Sequence, residues 1–361
     1  MNVRRYTKTI RSSCEKRRNA NMLPACFSAA RTMNIITIFC ARNEADILET
    51  CVRHYARWSK KIFVVLHQCQ DNSAEIIGHL QDEGLPIECS IDTGLLHEQA
   101  AMMTELLYRA ADAGADWILP VDTDEFIVGD ISRVLAEQDG LTPVRVPWKS
   151  YVPMPGDLPS EQNVLKRITH RRASEHPPWA KVIVPMKLLK DGTGKRLYAG
   201  NHGVMDGCGN PVPDVTTSLA MAHFPVRSAE QIKRKIYGGW LTNFADPRKP
   251  HGNTFQWKAI FEEMKRNDTI TPEDLKRYAL EYGMKIQWNR LPASYLDRGD
   301  TTWIPWDGEH ETEPPVLDPV PCDFDLRYDV HEVEPIAVLL ETAEAFATAY
   351  GECTFSKHPH S

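Results

Sequence analysis

Asp122-Thr123-Asp124-Glu125-Phe126 follows directly on an apolar run, Trp117-Ile118-Leu119-Pro120-Val121. Two carboxylates at i and i+2 point the same way if the chain stays extended. Such a pair suits Mg2+ or Mn2+, which take oxygen ligands and leave positions open for phosphate oxygens. The metal would neutralise charge developing on a diphosphate leaving group. The plain alternative is a solvated acidic turn. Further along, His223 closes the apolar stretch 219–222 and precedes Arg227, Ser228, Lys233 and Lys235. A neutral imidazole can ligate a metal, and arginine or lysine can pair with phosphate, so His223, Arg227 and Lys233 are of types that could do such work. A core histidine and a solvated helix start are the bland readings of the same residues. Asp214, His202 (in Asn201-His202-Gly203) and Glu175 are the candidate bases, and each is equally an ordinary polar loop residue.

These residues must be positioned by a strand–helix series. Ile35-Ile36-Thr37-Ile38-Phe39-Cys40 and Ile62-Phe63-Val64-Val65-Leu66 are short continuous apolar runs, the pattern of buried parallel strands. Residues 86–91 predict a weaker strand, and 117–121 a fourth. Between them, Ile47, Leu48, Cys51, Val52, Tyr55 and Trp58 fall at helical spacing, Ile76, Ile77 and Leu80 mark a second helix, and 95–113 a third. Gly84 and Gly114 are placed to end the last two. The series predicts an α/β fold with a mainly parallel sheet and helices on both faces. Ligands of such sheets bind beyond the carboxyl ends of the strands. Those ends carry Ala41-Arg42-Asn43-Glu44, residues 67–72, and the acidic motif. Prolines then break up an extended segment, 181–189 reads as a strand, and 190–217 as loop. The last third is mostly helical, with Thr271-Pro272-Glu273-Asp274 a good helix start and a final helix over 335–350. The expected organisation is a basic arm over 1–32, a ligand-binding domain over 33–227 and a helical region over 228–361.

Composition excludes several classes. The first glycine is Gly78, so the first βα turn has none. A dinucleotide-binding turn and a P-loop both need glycine there, and neither motif occurs elsewhere. There is no H-E-x-x-H and no G-x-S-x-G. Nine cysteines without a C-x-x-C pair predict reduced thiols in a cytoplasmic protein. The net charge of −7 hides an asymmetry: residues 1–32 hold eight bases and one acid, +7, and the remainder 34 bases and 48 acids, −14. An acidic body argues against a nucleic-acid partner. No run of about 18 apolar residues predicts a membrane span. The basic arm reads as a plain tail or an extended start, or as a source of weak attraction to anionic membrane at the inner face.

The ordered set Ala41-Arg42-Asn43-Glu44, Ile47-Leu48, Asp71-Asn72-Ser73, Gln99, Trp117-Ile118-Leu119 and Asp122-x-Asp124-Glu125-Phe126 resembles the family 2-type glycosyltransferases, in the branch with "NE…IL" and "D-x-DEF" motifs. The resemblance covers residues 34–128 well and thins towards 240. It implies a GT-A-like fold in which Arg42, Asn43 and Glu44 line a nucleotide pocket. Asp71 would contact base or ribose, and Gln99 and Glu125 belong to the same nucleotide-sugar site. Asp122 and Asp124 would bind metal and sugar diphosphate, with His223, Arg227 and Lys233 as later additions. His67-Gln68 departs from the family, which usually has acids there. Trp179 and Lys181 could contact sugar or phosphate, and Trp240, Trp257 and Trp303 could be acceptor platforms or simply pack. The implied activity is a metal-dependent transfer from a nucleoside-diphosphate sugar to a glycan or lipid-linked acceptor, with inversion. A sugar nucleotidyltransferase and a non-catalytic carbohydrate-binding protein with a degenerate transferase fold are the competing expectations.

Overall fold

The computed structural model describes residues 33–94, 98–175, 178–245, 255–267, 269–283 and 313–355. The basic arm and Trp303 lie outside them. The chain begins with β1 (Ile35–Ala41), α1 (Ala45–Ala56), β2 (Ser59–His67), α2 (Ser73–Asp82), β3 (Ile87–Asp92), α3 (Gln99–Asp112) and β4 (Trp117–Pro120). β5 (Glu125–Val128), α4 (Ile131–Ala136), β6 (Val144–Val152), α5 (Val164–Arg167), β7 (His170–Arg171), β8 (Ala180–Pro185) and α6 (Met186–Leu189) follow. Then come β9 (Arg196–Leu197), β10 (Val204–Met205), β11 (Val215–Thr216), β12 (Ala220–His223), α7 (Ala229–Ala245), α8 (Phe255–Met264), α9 (Pro272–Glu281), β13 (Val316–Leu317) and α10 (Pro335–Phe355).

The architecture is mixed α/β: a large sheet, ordered β13-β7-β6-β8-β4-β1-β2-β3, with helices against it. The four strands of the first half, β3-β2-β1-β4, are parallel, as the unbroken apolar runs of β1, β2 and β4 suggest, and the more polar β3 forms the outer strand. Beyond β4 the sheet changes direction, with β8 antiparallel to both β4 and β6. Alternation along β1 splits its side chains between two layers. Ile36 and Ile38 join Phe63, Val65, Ile118, Val182 and Val184 under Met103, Leu106 and Leu107 of α3. Residues of the opposite parity face α1, whose Leu48, Cys51, Val52 and Tyr55 are fully buried. Gly84 and Gly114 end α2 and α3 in the left-handed conformation, φ +87° and +83°.

The segment 181–189 is only half strand. β8 stops at Pro185, whose missing N–H cannot continue a ladder, and a helical turn takes its place. α9 starts as read, with Thr271 and Asp274 capping each other's backbone N–H groups. Val152 and Val226, near the end of β6 and the start of α7, share a core with Ile236, Trp240, Ile260, Tyr278 and Tyr282. The helical third is therefore packed on the sheet edge that carries the acidic motif. No helix among the described residues is long and apolar enough to cross a membrane.

Candidate functional site

β1 lies between β2 and β4, and the chain leaves it first towards β3 and later towards β4. That reversal is a topological switch point, where a crevice opens beyond the carboxyl ends of the strands. Arg42-Asn43-Glu44, the loop 68–72 and Asp122 all sit at this edge. Asn43 (φ 54°), Gln68 (φ 47°) and Asn201 (φ 56°) are non-glycine residues in the left-handed region. Asn43 and Gln68 follow β1 and β2 directly, and Asn201 reaches the same edge through Asp122. Strained backbone of this kind is retained where surrounding contacts overdetermine it, commonly at sites.

The acidic motif is not extended. The Glu125 N–H donates to the Asp122 carbonyl at 3.1 Å, and the Asp122 N–H donates to Oε2 of Glu125 at 3.0 Å. This tight turn removes the alternation on which a shared direction for Asp122 and Asp124 depended. The two carboxylates consequently serve different partners.

Asp122 is the more enclosed in hydrogen bonds. Its Oδ1 accepts from Gln99 Nε2 at 2.8 Å and from Asn201 Nδ2 at 3.2 Å. Its Oδ2 accepts from Lys181 Nζ at 2.6 Å. Lys181, only 1% exposed, also reaches the Gly200 carbonyl at 2.5 Å and lies 3.0 Å from Oε1 of Glu125. Burial would lower the Lys181 pKa, and Asp122 and Glu125 outweigh it, so the ammonium is held charged. Glu125 is pushed up to about 8, first by burial, against the pull of Lys181. Gly200 adopts φ +75°, and a Cβ there would stand 2.7 Å from His202 Nε2, so glycine is needed for its carbonyl to meet Lys181.

Asp124 is served from the other side. β12 pairs antiparallel with β5, setting His223 opposite Glu125, and parallel with β6, setting it opposite Ser150. The Phe224 N–H then donates to the Asp124 carbonyl at 2.8 Å. His223 Nε2 lies 3.9 Å from Oδ1 of Asp124, and Lys235 Nζ donates to Oδ2 at 2.5 Å. Burial would raise the Asp124 pKa, but the charges of Lys235 and Arg227 hold it well below the usual carboxylate range. Burial pushes His223 well below its ordinary value, so the imidazole is neutral. It stacks on Trp148 with ring centroids 4.0 Å apart. Its Nδ1, Asn201 Oδ1 and Trp148 Nε1 are buried and have no hydrogen-bond partner among the described residues.

Several residues named from sequence prove committed to the scaffold. Arg227 donates to Asp46 at 2.6 and 3.0 Å, to Glu44, and to the Phe224 carbonyl at 3.2 Å, so its guanidinium clamps the start of α1 to the start of α7. Both Asp71 oxygens cap backbone, accepting from Ala45 N–H at 2.9 Å and Ser73 N–H at 3.1 Å. Asn43 Oδ1 accepts from the Gln70 N–H at 2.7 Å. Glu175 accepts from the backbone of Ser150 at 2.5 Å and from Arg172 at 3.2 Å. His67 pairs with Asp92 at 2.8 Å. Arg42 reaches Thr242 of α7 at 3.3 Å, and its Nε is buried without a hydrogen-bond partner among the described residues.

Other candidates fall to one side. Lys233 stands about 200° round α7 from Lys235, so it is Lys235 that meets Asp124. Asp214 precedes β11, whose Val215 pairs with Val144, six residues before the Ser150 that faces His223. That is about 20 Å along β6, away from Asp124. His202 holds the Ala180 carbonyl at 2.8 Å and rests against Trp148 and Trp179 at 5.5 and 5.0 Å. Trp240 is a core residue beside Ile236 and Ile260, with Trp257 packed against the same cluster. Sequence reasoning missed Trp148, Asn201 and Asp46. Lys181, named from sequence as a sugar or phosphate contact, instead meets Asp122 and Gly200, and it stands out as the one charged residue inside the apolar run Ala180-Lys181-Val182-Ile183-Val184.

Among the described residues, no three His, Cys, Asp or Glu side chains are arranged to hold a metal ion. The donor set also argues against one. Both Asp122 oxygens accept from nitrogen donors, and the ammonium groups of Lys181 and Lys235 stand where a cation would. The arrangement does not fit the Mn2+ or Mg2+ expected from the motif.

No protein-family model matches the chain, and no curated protein matches it. Among solved structures it is similar to the mannosyltransferase PcManGT from Pyrobaculum calidifontis in complex with GDP-Man and Mn2+, at 16% identity over 68% of each chain with a TM-score of 0.32. It is similar to glucosyl-3-phosphoglycerate synthase from Mycobacterium tuberculosis at 16% identity, covering 32% of this chain and 44% of that one, TM-score 0.22. It is also similar to a 4-diphosphocytidyl-2C-methyl-D-erythritol synthase at 15% identity, over 44% and 78% of the chains, TM-score 0.27. Likenesses this distant assign no activity to the chain.

Proposed function

We propose that the protein is a glycosyltransferase that moves a sugar from a nucleoside-diphosphate sugar to a hydroxyl of a glycan or lipid-linked acceptor. The observation that carries this reading is the carboxylate–ammonium cluster of Asp122, Asp124, Glu125, Lys181 and Lys235 at the switch point of a parallel sheet. A cluster of this kind can position a charged donor and meet the negative charge of a departing diphosphate. Beside this cluster His223 Nδ1, Asn201 Oδ1 and Trp148 Nε1 are buried polar atoms whose hydrogen-bonding capacity no described protein group takes up.

In this reading the acceptor hydroxyl attacks the anomeric carbon, the bond to the diphosphate oxygen breaks, and a base takes the hydroxyl proton. His223 is better placed for that proton than Asp214, because it is neutral and beside Asp124. Arg42 and the loop 68–72 form the nucleotide side of the crevice. Single displacement on opposite faces of the sugar gives inversion.

The test is a panel of nucleotide sugars, read by nucleoside diphosphate release and by donor binding. Asp124→Asn is expected to lower turnover about 100-fold or more while leaving the melting curve cooperative. Pyrophosphate release from a nucleoside triphosphate and a sugar phosphate would replace this reading with a nucleotidyltransferase. Absence of binding by every donor would sink it.

A further inference from the structure

A divalent ion at a D-x-D motif does two jobs: it neutralises the carboxylates, and it offers positive charge to the diphosphate. Two lysines already stand on these two carboxylates, and together they carry the charge of one such ion. They are not equivalent. An ammonium has three N–H donors. Lys181 donates to Asp122 Oδ2 at 2.6 Å and to Gly200 O at 2.5 Å, and its Nζ lies 3.0 Å from Oε1 of Glu125, an ion-pair contact. Its stem is locked in β8 opposite Val146. Lys181 therefore closes Asp122 to a metal, and its ammonium, on a side chain 1% exposed, is buried away from an incoming phosphate. Arg227 is equally spent on Glu44, Asp46 and Phe224. Lys235 differs. Its Nζ has one hydrogen-bond acceptor among the described residues, Asp124 Oδ2, and the face of Tyr282 at 5.9 Å. Its side chain keeps 16% of its exposure, on a helix that can adjust more easily than a central strand.

We infer that Lys235, held by Asp124, is the cation that receives the diphosphate of the bound nucleotide, and that the protein binds this diphosphate without a divalent metal. The inference rests on the nucleotide-sugar reading above and replaces the metal in it. Lys181 is a positioning residue: it fixes Asp122 and Glu125, so that Asp124 and Lys235 face the crevice as a preformed pair. The consequence for the acidic body is direct. The local charge that an anionic donor needs is supplied by the chain itself.

The experiment is calorimetric titration of the full chain with GDP and with UDP, once in EDTA and once in Mn2+, alongside the electron paramagnetic resonance signal of free Mn2+. The expected result is the same Kd for metal-free nucleotide in EDTA as in Mn2+, and a free-Mn2+ signal lowered no further by protein plus nucleotide than by the nucleotide alone, which itself chelates Mn2+. Lys235→Met should weaken binding about 10- to 100-fold under both conditions, the loss of one charge-assisted hydrogen bond, while Lys235→Arg keeps most of it. Binding that appears only with Mn2+, or a Lys235→Met variant that binds like the wild type, overturns the inference and leaves the transferase reading standing. Failure of either nucleotide, or of any other nucleoside diphosphate, to bind under both conditions overturns both. Should Lys235→Met not fold, the comparison of EDTA with Mn2+ on the wild type decides alone.

Discussion

Arg227 shows how a residue can look like a ligand contact and work as a clamp. Its side chain is fully enclosed, and it neutralises Glu44 and Asp46 at the start of α1. Removing one partner of such a group strands the others, and the stranded charges carry the cost. Arg227→Met is expected to lower stability by about 3–5 kcal/mol, read as a fall in the urea midpoint at unchanged slope. A loss below about 1 kcal/mol would mean that water reaches the two carboxylates. His54 makes a second claim at this scale. Burial, reinforced by Arg57, pushes it down to about 3 from an ordinary 6.5, with the Ile127 carbonyl pulling the other way. The folded protein thus binds this proton more weakly than the unfolded chain. The stabilising contribution is complete above pH 6.5 and is lost as the pH falls towards 3. His54→Gln is expected to flatten the acid limb of the stability curve between those values, as followed by melting temperature against pH.

At the scale of elements, register decides what meets what. β12 inserts between β5 and β6, and one pairing, His223 opposite Glu125, brings a histidine about a hundred residues downstream to the acidic turn. A slip of one residue would turn its side chain to the other face. α1 holds β5 in place through a Tyr55 hydroxyl that donates to the Glu125 carbonyl at 2.8 Å and accepts from the Ile127 N–H at 3.2 Å. Tyr55→Phe keeps the packing and orphans both backbone groups, so a cost of about 1–3 kcal/mol is expected in denaturant titration. The start of α9 and the ends of α2 and α3 were legible because capping and glycine chemistry is local. The direction of β8 and the turn over 122–125 were not. Both depend on partners far away in sequence: Pro185 meets Trp117 across the sheet, and Glu125 folds back under Lys181.

Across the whole molecule, a few buried cations tie the helical third to the sheet. Arg172, 4% exposed, donates to the Ala279 and Tyr282 carbonyls at 2.5 and 2.6 Å, completing the last turn of α9. Tyr282 in turn faces His223, with ring centroids 5.7 Å apart. The segment before α10 is fastened to the opposite flank by Glu49, which accepts from the N–H groups of Arg327 and Tyr328 at 2.9 and 3.1 Å. Arg172→Met should therefore speed amide hydrogen exchange in residues 269–283 well before it affects β1 or β4. Uniform acceleration over the sheet would show instead that Arg172 supports the global fold.

The sequence by itself determined the α/β order, the parallel first half of the sheet and the edge where polar loops gather. Those follow from apolar runs and glycine positions, which act over a few residues. The motif resemblance, not periodicity or spacing, set His223 beside Asp122 and Asp124. Only the tertiary structure decided what charge those residues meet. A cation's place depends on where a strand and a helix end in space, so Lys181 and Lys235 came to stand at the carboxylates, while Arg227 and Asp71 were drawn into the scaffold.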